Sequence, residues 1–229
     1  MPEDCGASPG MCGKLINWLY GFRQAASAWK KFFCELLEDA GFCRGKSCEV
    51  VFFRRTRDIS VTMHGDDFTH GGLQEDLMWL KGSMESWLEI KFRGIFGMDA
   101  GSTQEIFILG RIVRVNGEGI EYEADPKHRK LVMEHFGIKE GSKMSRNNGD
   151  REDREEPGDE QELSKEEAKS FRGIAARLNF LSQDDPDLQF PVKQGTREMA
   201  HLVKGLWKKL KRVARYLAGR EEVVWKFDW

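Results

Sequence analysis

Residues 59–72 read ISVTMHGDDFTHGG, two short strand-like pieces on either side of a Gly-Asp-Asp sequence. The first piece is rich in Ile, Val and Thr, which favour strands, and the second ends at a pair of glycines. Gly65, Asp66 and Asp67 stand between the two pieces. We therefore predict a tight β-turn that exposes two adjacent carboxylates.

Adjacent aspartates at the tip of a hairpin can bind Mg²⁺ or Mn²⁺, because these hard cations prefer carboxylate oxygen. Two such ions could activate a 3′-hydroxyl group and stabilise the leaving pyrophosphate during phosphoryl transfer. An Asp-Asp pair taken alone is more often ordinary turn chemistry. His64 could act as a base or a ligand beside the pair, although a structural hydrogen bond to a neighbouring carboxylate is the commoner arrangement.

The sequence on both sides of the turn predicts a small antiparallel sheet with packed helices. Residues 47–54 form a further strand-like run, which pairs with residues 59–64 as a hairpin. Residues 15–37 place apolar side chains at helical spacing, interrupted only by Gly21. Residues 73–88 repeat Leu, Met and Trp every three to four positions, as in an amphipathic helix.

Farther along the chain, one hairpin precedes a mainly helical part. Residues 105–115 and 119–123 flank Asn116-Gly117, a strong hairpin signal. Asp125 and Pro126 then begin a helix that runs to about residue 136.

The helical part also carries its own start and stop signals. Ser164 and Glu167 form a capping box, residues 184–187 break that helix and cap another, and a last helix covers residues 202–217. Residues 139–162 are polar and charged, which predicts an exposed loop or a disordered insertion, and residues 223–227 resemble an edge strand.

The composition of the chain limits its class. With 229 residues, of which 40% are hydrophobic, it can form one large domain or two small ones. No stretch approaches the roughly 18 uninterrupted apolar residues of a membrane span, and the first residues lack a signal-peptide pattern. We expect a soluble protein of the nucleus or cytoplasm that is not secreted. The odd number of cysteines without CxxC spacing favours free thiols over disulfides or zinc.

Charge is strongly segregated along the sequence. Residues 150–167 hold ten acidic residues against three basic ones, whereas residues 193–220 hold nine Lys or Arg and one acidic residue. A basic segment of this kind suggests a polyanionic partner, and a solvated helix face is the alternative. Trp207 and Tyr216 follow the apolar spacing of the last helix, so we expect them to face the core and not to stack on bases.

Residues 19–29 read LYGFRQAASAW, which closely resembles the LYGLKQAPRAW signature of copia-type retrotransposon reverse transcriptases. In that family an Asp-Asp hairpin follows this segment. The resemblance continues in order through residues 107–110, similar to the primer grip, and through residues 171–181, 186–188 and 211–217. Collinear similarity over nearly the whole chain implies an RNA-directed DNA polymerase that uses Mg²⁺ or Mn²⁺, deoxynucleoside triphosphates and a template-primer duplex.

The resemblance implies roles for individual residues. Asp66 would be the principal metal ligand, with Asp67 its neighbour in the catalytic site. Gln24 would lie near the incoming nucleotide, unless it is only a helix-surface amide. Lys91 would lie near the pyrophosphate, although a solvated surface lysine is the commoner case. The positions implied in nucleic-acid binding are Ile108, Leu109, Gly110, Lys204, Lys208, Lys211, Arg212 and Arg215.

Several features depart from the family pattern. Its first motif, a strand with another essential aspartate, would precede residue 1, and residues 1–4 resemble only the passage after that strand. An upstream polyprotein segment could supply it. His64-Gly65 replaces the usual Tyr-x before the aspartates, Ala26 replaces a proline, and the acidic insertion is atypical. The Gly-Asp-Asp form is reminiscent of viral RNA polymerases, but residues 19–29 argue against that alternative.

We therefore expect an α+β protein that is a partial right-hand polymerase. Residues 1–125 would form partial fingers and palm with the Asp-Asp and primer-grip-like hairpins. Residues 126–219 would form a helical thumb and connection with a flexible insertion at about 139–163, and residues 220–229 would begin a truncated following domain. Without the first-motif aspartate, little activity is expected. The alternatives are a non-enzymatic nucleic-acid-binding remnant, or a fragment without a selected role, which would aggregate.

Overall fold

The computed structural model describes residue 6 and residues 11–19, 21–139 and 156–229. The chain divides into two compact units, Met1–Arg93 and Gly94–Trp229. Each unit combines helices with one four-stranded antiparallel sheet, so the expected α+β class is confirmed. The division falls near residue 93, whereas the sequence suggested a boundary near residue 125, because a second sheet and the helices that follow it form one unit.

The first unit contains two helices and the first sheet. In chain order its elements are α1 (Arg23–Asp39), β1 (Cys43–Arg44), β2 (Val51–Arg54), β3 (Ile59–His64), β4 (Asp67–Gly71) and α2 (Gln74–Trp87). The strands follow one another in the sheet in the order β1-β2-β3-β4. The predicted hairpin, the strand after the Asp-Asp pair and the helix at residues 73–88 are therefore confirmed. The first helix begins only after Gly21, where the helical spacing is interrupted.

One face of the first sheet carries the core of this unit. Ile59, Val61 and Met63 alternate with more exposed residues along β3 and are buried, the pattern of a half-buried strand. Leu37 of α1 and Leu80 of α2 belong to the same apolar cluster. Both helices thus cover one face of the sheet, and each large side chain removed from water there contributes about 1.5–3 kcal/mol.

In its described residues, the second unit contains the second sheet and four helices. Its elements are β5 (Glu105–Ile108), β6 (Arg111–Val115), β7 (Gly119–Ala124), α3 (Pro126–His135), α4 (Lys165–Leu181), α5 (Pro186–Thr196), α6 (Leu206–Leu217) and β8 (Val224–Asp228). The sheet order is β5-β6-β7-β8. Leu178, Leu188 and Leu210, one from each of α4, α5 and α6, are fully buried in a common apolar core.

The predicted helix starts in this unit are confirmed by their hydrogen bonds. The Asp125 carboxylate accepts from the Lys127 N–H at 2.9 Å. The hydroxyl of Ser164 accepts from the Glu167 N–H while the Glu167 carboxylate accepts from the Ser164 N–H, which completes the capping box. Asp185 caps α5 by accepting from the Asp187 N–H at 3.1 Å. Each capping residue and its partner lie two or three positions apart, so these helix starts could be predicted from the sequence.

Two predicted boundaries in the second unit are wrong. Residues 105–115 form two strands instead of one, because Leu109 and Gly110 take positive φ angles of +48° and +77° and turn the chain. The last helix begins at Leu206 and not at residue 202. Residues 202–205 instead bond to residues 159–163, since the Leu163 N–H donates to the Leu202 carbonyl at 2.9 Å.

The sequence predicted a flexible insertion at about residues 139–163 and the start of a following domain at residue 220. Residues 140–155, most of the insertion, lie outside the described residues, as do residues 1–4. Residues 156–163 are held in turns and a bridge between Glu162 and Val203. The strand expected near residues 223–227 is β8, which pairs with β7 and so belongs to the second sheet. In the described part of the chain, no helix is long and apolar enough to cross a membrane.

Candidate functional site

The Asp-Asp pair lies at the β3–β4 turn, as its sequence predicts. His64 pairs with Asp67, which leaves Gly65 and Asp66 as a two-residue turn. Gly65 has φ +65°, whereas Asp66 has no positive φ, as expected for a type II′ turn with glycine at its first central position. Cross-strand partners share a face, and His64 alternates with buried Met63, so Asp67 lies on the face opposite the helices. Both aspartates are exposed and accessible to a ligand.

A tryptophan of α1 holds the position of this turn. The Trp29 Nε1 donates a hydrogen bond to the Gly65 carbonyl at 2.9 Å. The Trp29 ring stacks on Phe33, and Phe33 contacts Phe68 of β4 with ring centroids 4.3 Å apart. The indole therefore joins the helix to the residue immediately before Asp66. Sequence reasoning used Trp29 in the helical spacing of residues 15–37 and in the LYGFRQAASAW signature, and missed this contact, which spans 36 positions.

Among the described residues, Arg93 is a cation that reaches the Asp-Asp turn. Its Nη2 lies 3.5 Å from Oδ1 of Asp67, and the two side chains are 78% and 55% exposed. An exposed pair of this kind contributes about 0–1 kcal/mol, so it does not prevent another cation from binding Asp67. Lys91 is exposed and makes no ion pair with either aspartate. The sequence predicted Lys91, and not Arg93, near this site. The only indication in the sequence that Arg93 would lie here is that it follows Lys91 by two residues.

Gln24 lies in the first turn of α1, where it is exposed. It shares this helix with Trp29, which contacts the Asp-Asp turn. The structure thus places Gln24 on the same helix as the residue that fixes the turn, without a direct contact to Asp66 or Asp67.

The residues at the turn do not by themselves complete a metal centre. Within the described residues there is no group of three or more His, Cys, Asp or Glu side chains arranged to hold a metal ion. Asp66 and Asp67 offer carboxylate oxygens of the type that Mg²⁺ and Mn²⁺ prefer, but Mg²⁺ needs near-octahedral coordination. A two-metal site at this turn would need a further ligand.

The edge of the first sheet next to Asp67 is open. In the part of the chain that the structure describes, β4 pairs with β3 alone, so its outer edge has no strand partner. An edge of this kind can accept a further strand. His70 on this strand has a buried Nε2 that finds no hydrogen-bond partner among the described residues, and burial lowers the pKa of its imidazole.

The predicted primer-grip residues Ile108, Leu109 and Gly110 lie at the end of β5 and in the β5–β6 turn of the second unit. Both turn residues have positive φ, as in a type I′ turn. The Arg111 guanidinium donates to the Leu109 carbonyl at 2.9 Å and lies over the Phe180 ring, 4.6 Å from its centroid. This turn presents the exposed side chain of Leu109 on a firmly held backbone.

A buried polar cluster joins the second sheet to the junction of α4 and α5. The Asp184 carboxylate accepts from the Tyr122 hydroxyl at 2.8 Å and pairs with Arg111 at 3.1 Å. The Trp225 indole donates to the Asp184 carbonyl at 2.7 Å. Burial, together with the hydrogen bond to Asp184, raises the pKa of Tyr122. Sequence reasoning saw only a helix break here, because the partners lie 41 to 73 positions away.

The basic residues of the last helix differ in their surroundings. Lys211 and Arg215 are exposed, and Arg212 is half-buried. Lys204 donates to the Gln161 side chain at 2.7 Å, and Lys208 lies 2.6 Å from Asp159.

The two aromatic residues of this helix pack against the core, as predicted. The ring of Trp207 meets Phe171 edge-on with centroids 5.0 Å apart. The helix therefore presents cations, and not aromatic rings, to solvent.

Comparison of this chain with protein-family models, with curated proteins and with solved structures found no match.

Proposed function

We propose that this chain is the Asp-Asp-bearing part of a copia-type reverse transcriptase. The first unit would bind Mg²⁺ or Mn²⁺ and nucleotide phosphate at Asp66 and Asp67. One observation carries the proposal: Trp29, the last residue of the LYGFRQAASAW segment, donates its hydrogen bond to Gly65, directly before Asp66. Two segments that resemble separate polymerase motifs therefore meet at one exposed turn.

The chemistry of the turn follows from its charge and exposure. A bound divalent cation would supply electrostatic stabilisation of the departing pyrophosphate. Asp66 and Asp67 would hold the cation. Asp67 would lose its weak ion pair with Arg93 when it binds the metal. Gln24 would orient the incoming nucleotide from α1, and Lys91 or Arg93 would neutralise phosphate charge. The exposed cations of α6 would bind the backbone of the template-primer duplex without reading its sequence.

The isolated chain would catalyse little or nothing. Its described residues supply two carboxylates at the turn and no group of three ligands. The open edge of β4 suggests how the site would be completed, because a strand added there would run beside Asp67. An upstream segment or a second chain could bring the missing carboxylate on such a strand.

The second candidate function is a non-enzymatic nucleic-acid-binding remnant. It is favoured by the incomplete ligand set at the turn, combined with exposed Lys211 and Arg215 on α6. In this case Asp66 and Asp67 would be turn residues only.

Manganese binding separates the two candidates. Titration of the chain with Mn²⁺, followed by electron paramagnetic resonance, should give weak binding that Asp66→Asn and Asp67→Asn both remove. Asp58→Asn is the matched control, because Asp58 lies in the turn between β2 and β3 and its φ of +47° is tolerated by asparagine. Equal binding by all three variants and the parent would favour the remnant.

Primer extension tests the polymerase itself. On a poly(rA)/oligo(dT) duplex with Mn²⁺, the chain preceded by its upstream segment should incorporate nucleotide, and Asp66→Asn should abolish incorporation. The chain alone should be inactive or nearly so. No incorporation by the extended chain, despite a folded protein that binds the duplex, would contradict the polymerase proposal.

A further inference from the structure

An acidic segment of the second unit lies against the beginning of the basic helix α6. Backbone hydrogen bonds fix its path: the Gly205 N–H donates to the Asp159 carbonyl at 3.0 Å, and the Lys204 N–H donates to the Gln161 carbonyl at 2.9 Å. A Cβ atom on Gly205 would lie 3.1 Å from the Cβ of Asp159, which is tighter than an ordinary van der Waals contact. The segment, residues 156–162, is therefore docked on the helix and not merely adjacent to it in sequence.

Side chains of this segment bind two lysines, Lys204 just before α6 and Lys208 within it. Lys208 Nζ lies 2.6 Å from Asp159 Oδ2 and 3.1 Å from Glu156 Oε2. The hydrogen bond from Lys208 lowers the pKa of Asp159. Lys204 donates to the side chain of Gln161 at 2.7 Å. Both lysines at the amino-terminal end of the basic face thus have partners from the chain itself.

The carboxy-terminal half of the same face is different. Lys211 and Arg215 are exposed to solvent, with no carboxylate partner among the described residues. The basic face therefore has an amino-terminal end where Lys208 is paired with carboxylates and a carboxy-terminal end where Lys211 and Arg215 are exposed.

We propose that the acidic segment 156–162 is an intramolecular competitor that masks Lys208 and lowers the affinity of α6 for nucleic-acid phosphate. The proposal rests on the proposed nucleic-acid-binding function of this helix. A phosphate group that binds Lys208 competes with Asp159 and Glu156, since all three are anions that interact with the same ammonium group. A masked lysine neutralises no phosphate and so releases no counterion from the duplex, and masking therefore lowers the salt dependence of binding.

The segment offers its own control. Glu160 and Glu162 are exposed carboxylates of the same segment, and neither makes an ion pair among the described residues. The double variant Glu156→Gln/Asp159→Asn unmasks Lys208, whereas Glu160→Gln/Glu162→Gln removes the same charge without touching it. Asparagine at 159 keeps an oxygen that can accept from the Glu156 N–H, a bond of 2.8 Å in the parent.

The experiment is fluorescence anisotropy with a 20-base-pair duplex between 50 and 200 mM KCl. Glu156→Gln/Asp159→Asn should tighten binding roughly eightfold at 0.1 M salt and steepen the log–log salt slope by about 0.9, the change for one further phosphate contact on B-DNA. The control variant should show a smaller gain and an unchanged slope. Equal gains and equal slopes in the two double variants would overturn the proposal.

A third variant makes the test independent of small changes in folding. Lys208→Gln should have little effect on binding by the parent, in which Lys208 is masked, but should remove the gain in Glu156→Gln/Asp159→Asn. An equal loss in both backgrounds would overturn masking. Lys211→Gln/Arg215→Gln tests the underlying function. If the parent chain does not bind the duplex, the nucleic-acid-binding function itself is rejected. If the parent binds, Lys211→Gln/Arg215→Gln abolishes binding and the acidic variants bind like the parent, only the masking proposal is rejected.

Discussion

The two sheets have the same number of strands and the same antiparallel order, yet they are joined to their helices by different forces. The first sheet meets α1 and α2 mainly through an apolar cluster, with an indole hydrogen bond at the Asp-Asp turn and partly exposed ion pairs, Arg44 with Glu38 and Arg57 with Asp76, at its margin. The second sheet meets the α4–α5 junction through the buried pair of Arg111 and Asp184, with Tyr122 as a further donor. Apolar packing is tolerant of small shifts, whereas a buried polar cluster is stable only when every partner is present. The first arrangement suits an exposed site, and the second suits a fixed support.

The largest effect is expected from Asp184→Ala. The substitution leaves the Arg111 guanidinium and the Tyr122 hydroxyl without their carboxylate, and removing one partner of a buried pair costs about 3–5 kcal/mol. Hydrogen exchange measured by segment should show the loss in β6, β7 and β8. Glu105→Ala is the control, because Glu105 pairs with Arg114 at 2.6 Å but is 59% exposed, and an exposed pair contributes only about 0–1 kcal/mol. A similar loss in both variants would remove the contrast between the sheets.

The next effect is a pH dependence of the first unit that originates at His70. Burial lowers the pKa of this imidazole in the folded state, so the unfolded chain binds the proton more readily. Stability from this group is present above the unfolded pKa of about 6.5 and is lost as pH falls, by up to about 1.4 kcal/mol per pH unit. Urea unfolding between pH 7.5 and 5.5 should show this slope, and His70→Leu should flatten it. An unchanged slope in the variant would assign the effect to other groups.

Local signals in the sequence were sufficient to predict much of the fold, whereas the long-range contacts could not be predicted. Ser164 with Glu167 and Asp125 with Pro126 specify helix starts within four residues, so they could be predicted. The Gly65-Asp66 turn is equally local. The contacts that hold the site are not local, since Trp29 bonds to Gly65 across 36 positions. The spacing of apolar residues along the sequence does not indicate which distant residues pair in this way. Arg93, which reaches Asp67, was missed for the same reason.

A smaller effect is expected at the tryptophan that fastens the Asp-Asp turn. Trp29→Phe keeps an aromatic ring against Phe33 but removes the indole N–H that donates to the Gly65 carbonyl. A neutral hydrogen bond contributes about 0.5–1.5 kcal/mol, so the global stability should change little. Exchange of the β3–β4 amides should nevertheless become faster, and Mn²⁺ binding at the turn should weaken. Trp79→Phe is the control, because that ring stacks with Arg54 and Arg57, which lie at the opposite end of β3 from the Asp-Asp turn.

The smallest effect is expected at the β5–β6 turn of the second sheet, where a leucine adopts a backbone conformation that its side chain disfavours. Leu109 adopts φ +48°, a conformation that leucine disfavours, and Gly110 follows at φ +77°. Leu109→Asn would create the Asn-Gly pair that type I′ turns prefer, and we expect a gain of about 0.5–1 kcal/mol in urea unfolding. Gly110→Ala should act in the opposite direction, because its Cβ would lie 3.0 Å from the Phe180 ring and its φ is positive. If Leu109→Asn stabilises the unit and also weakens duplex binding, the strained leucine is retained for contact with nucleic acid. If stability rises and binding is unchanged, the exposed side chain has no part in that interface.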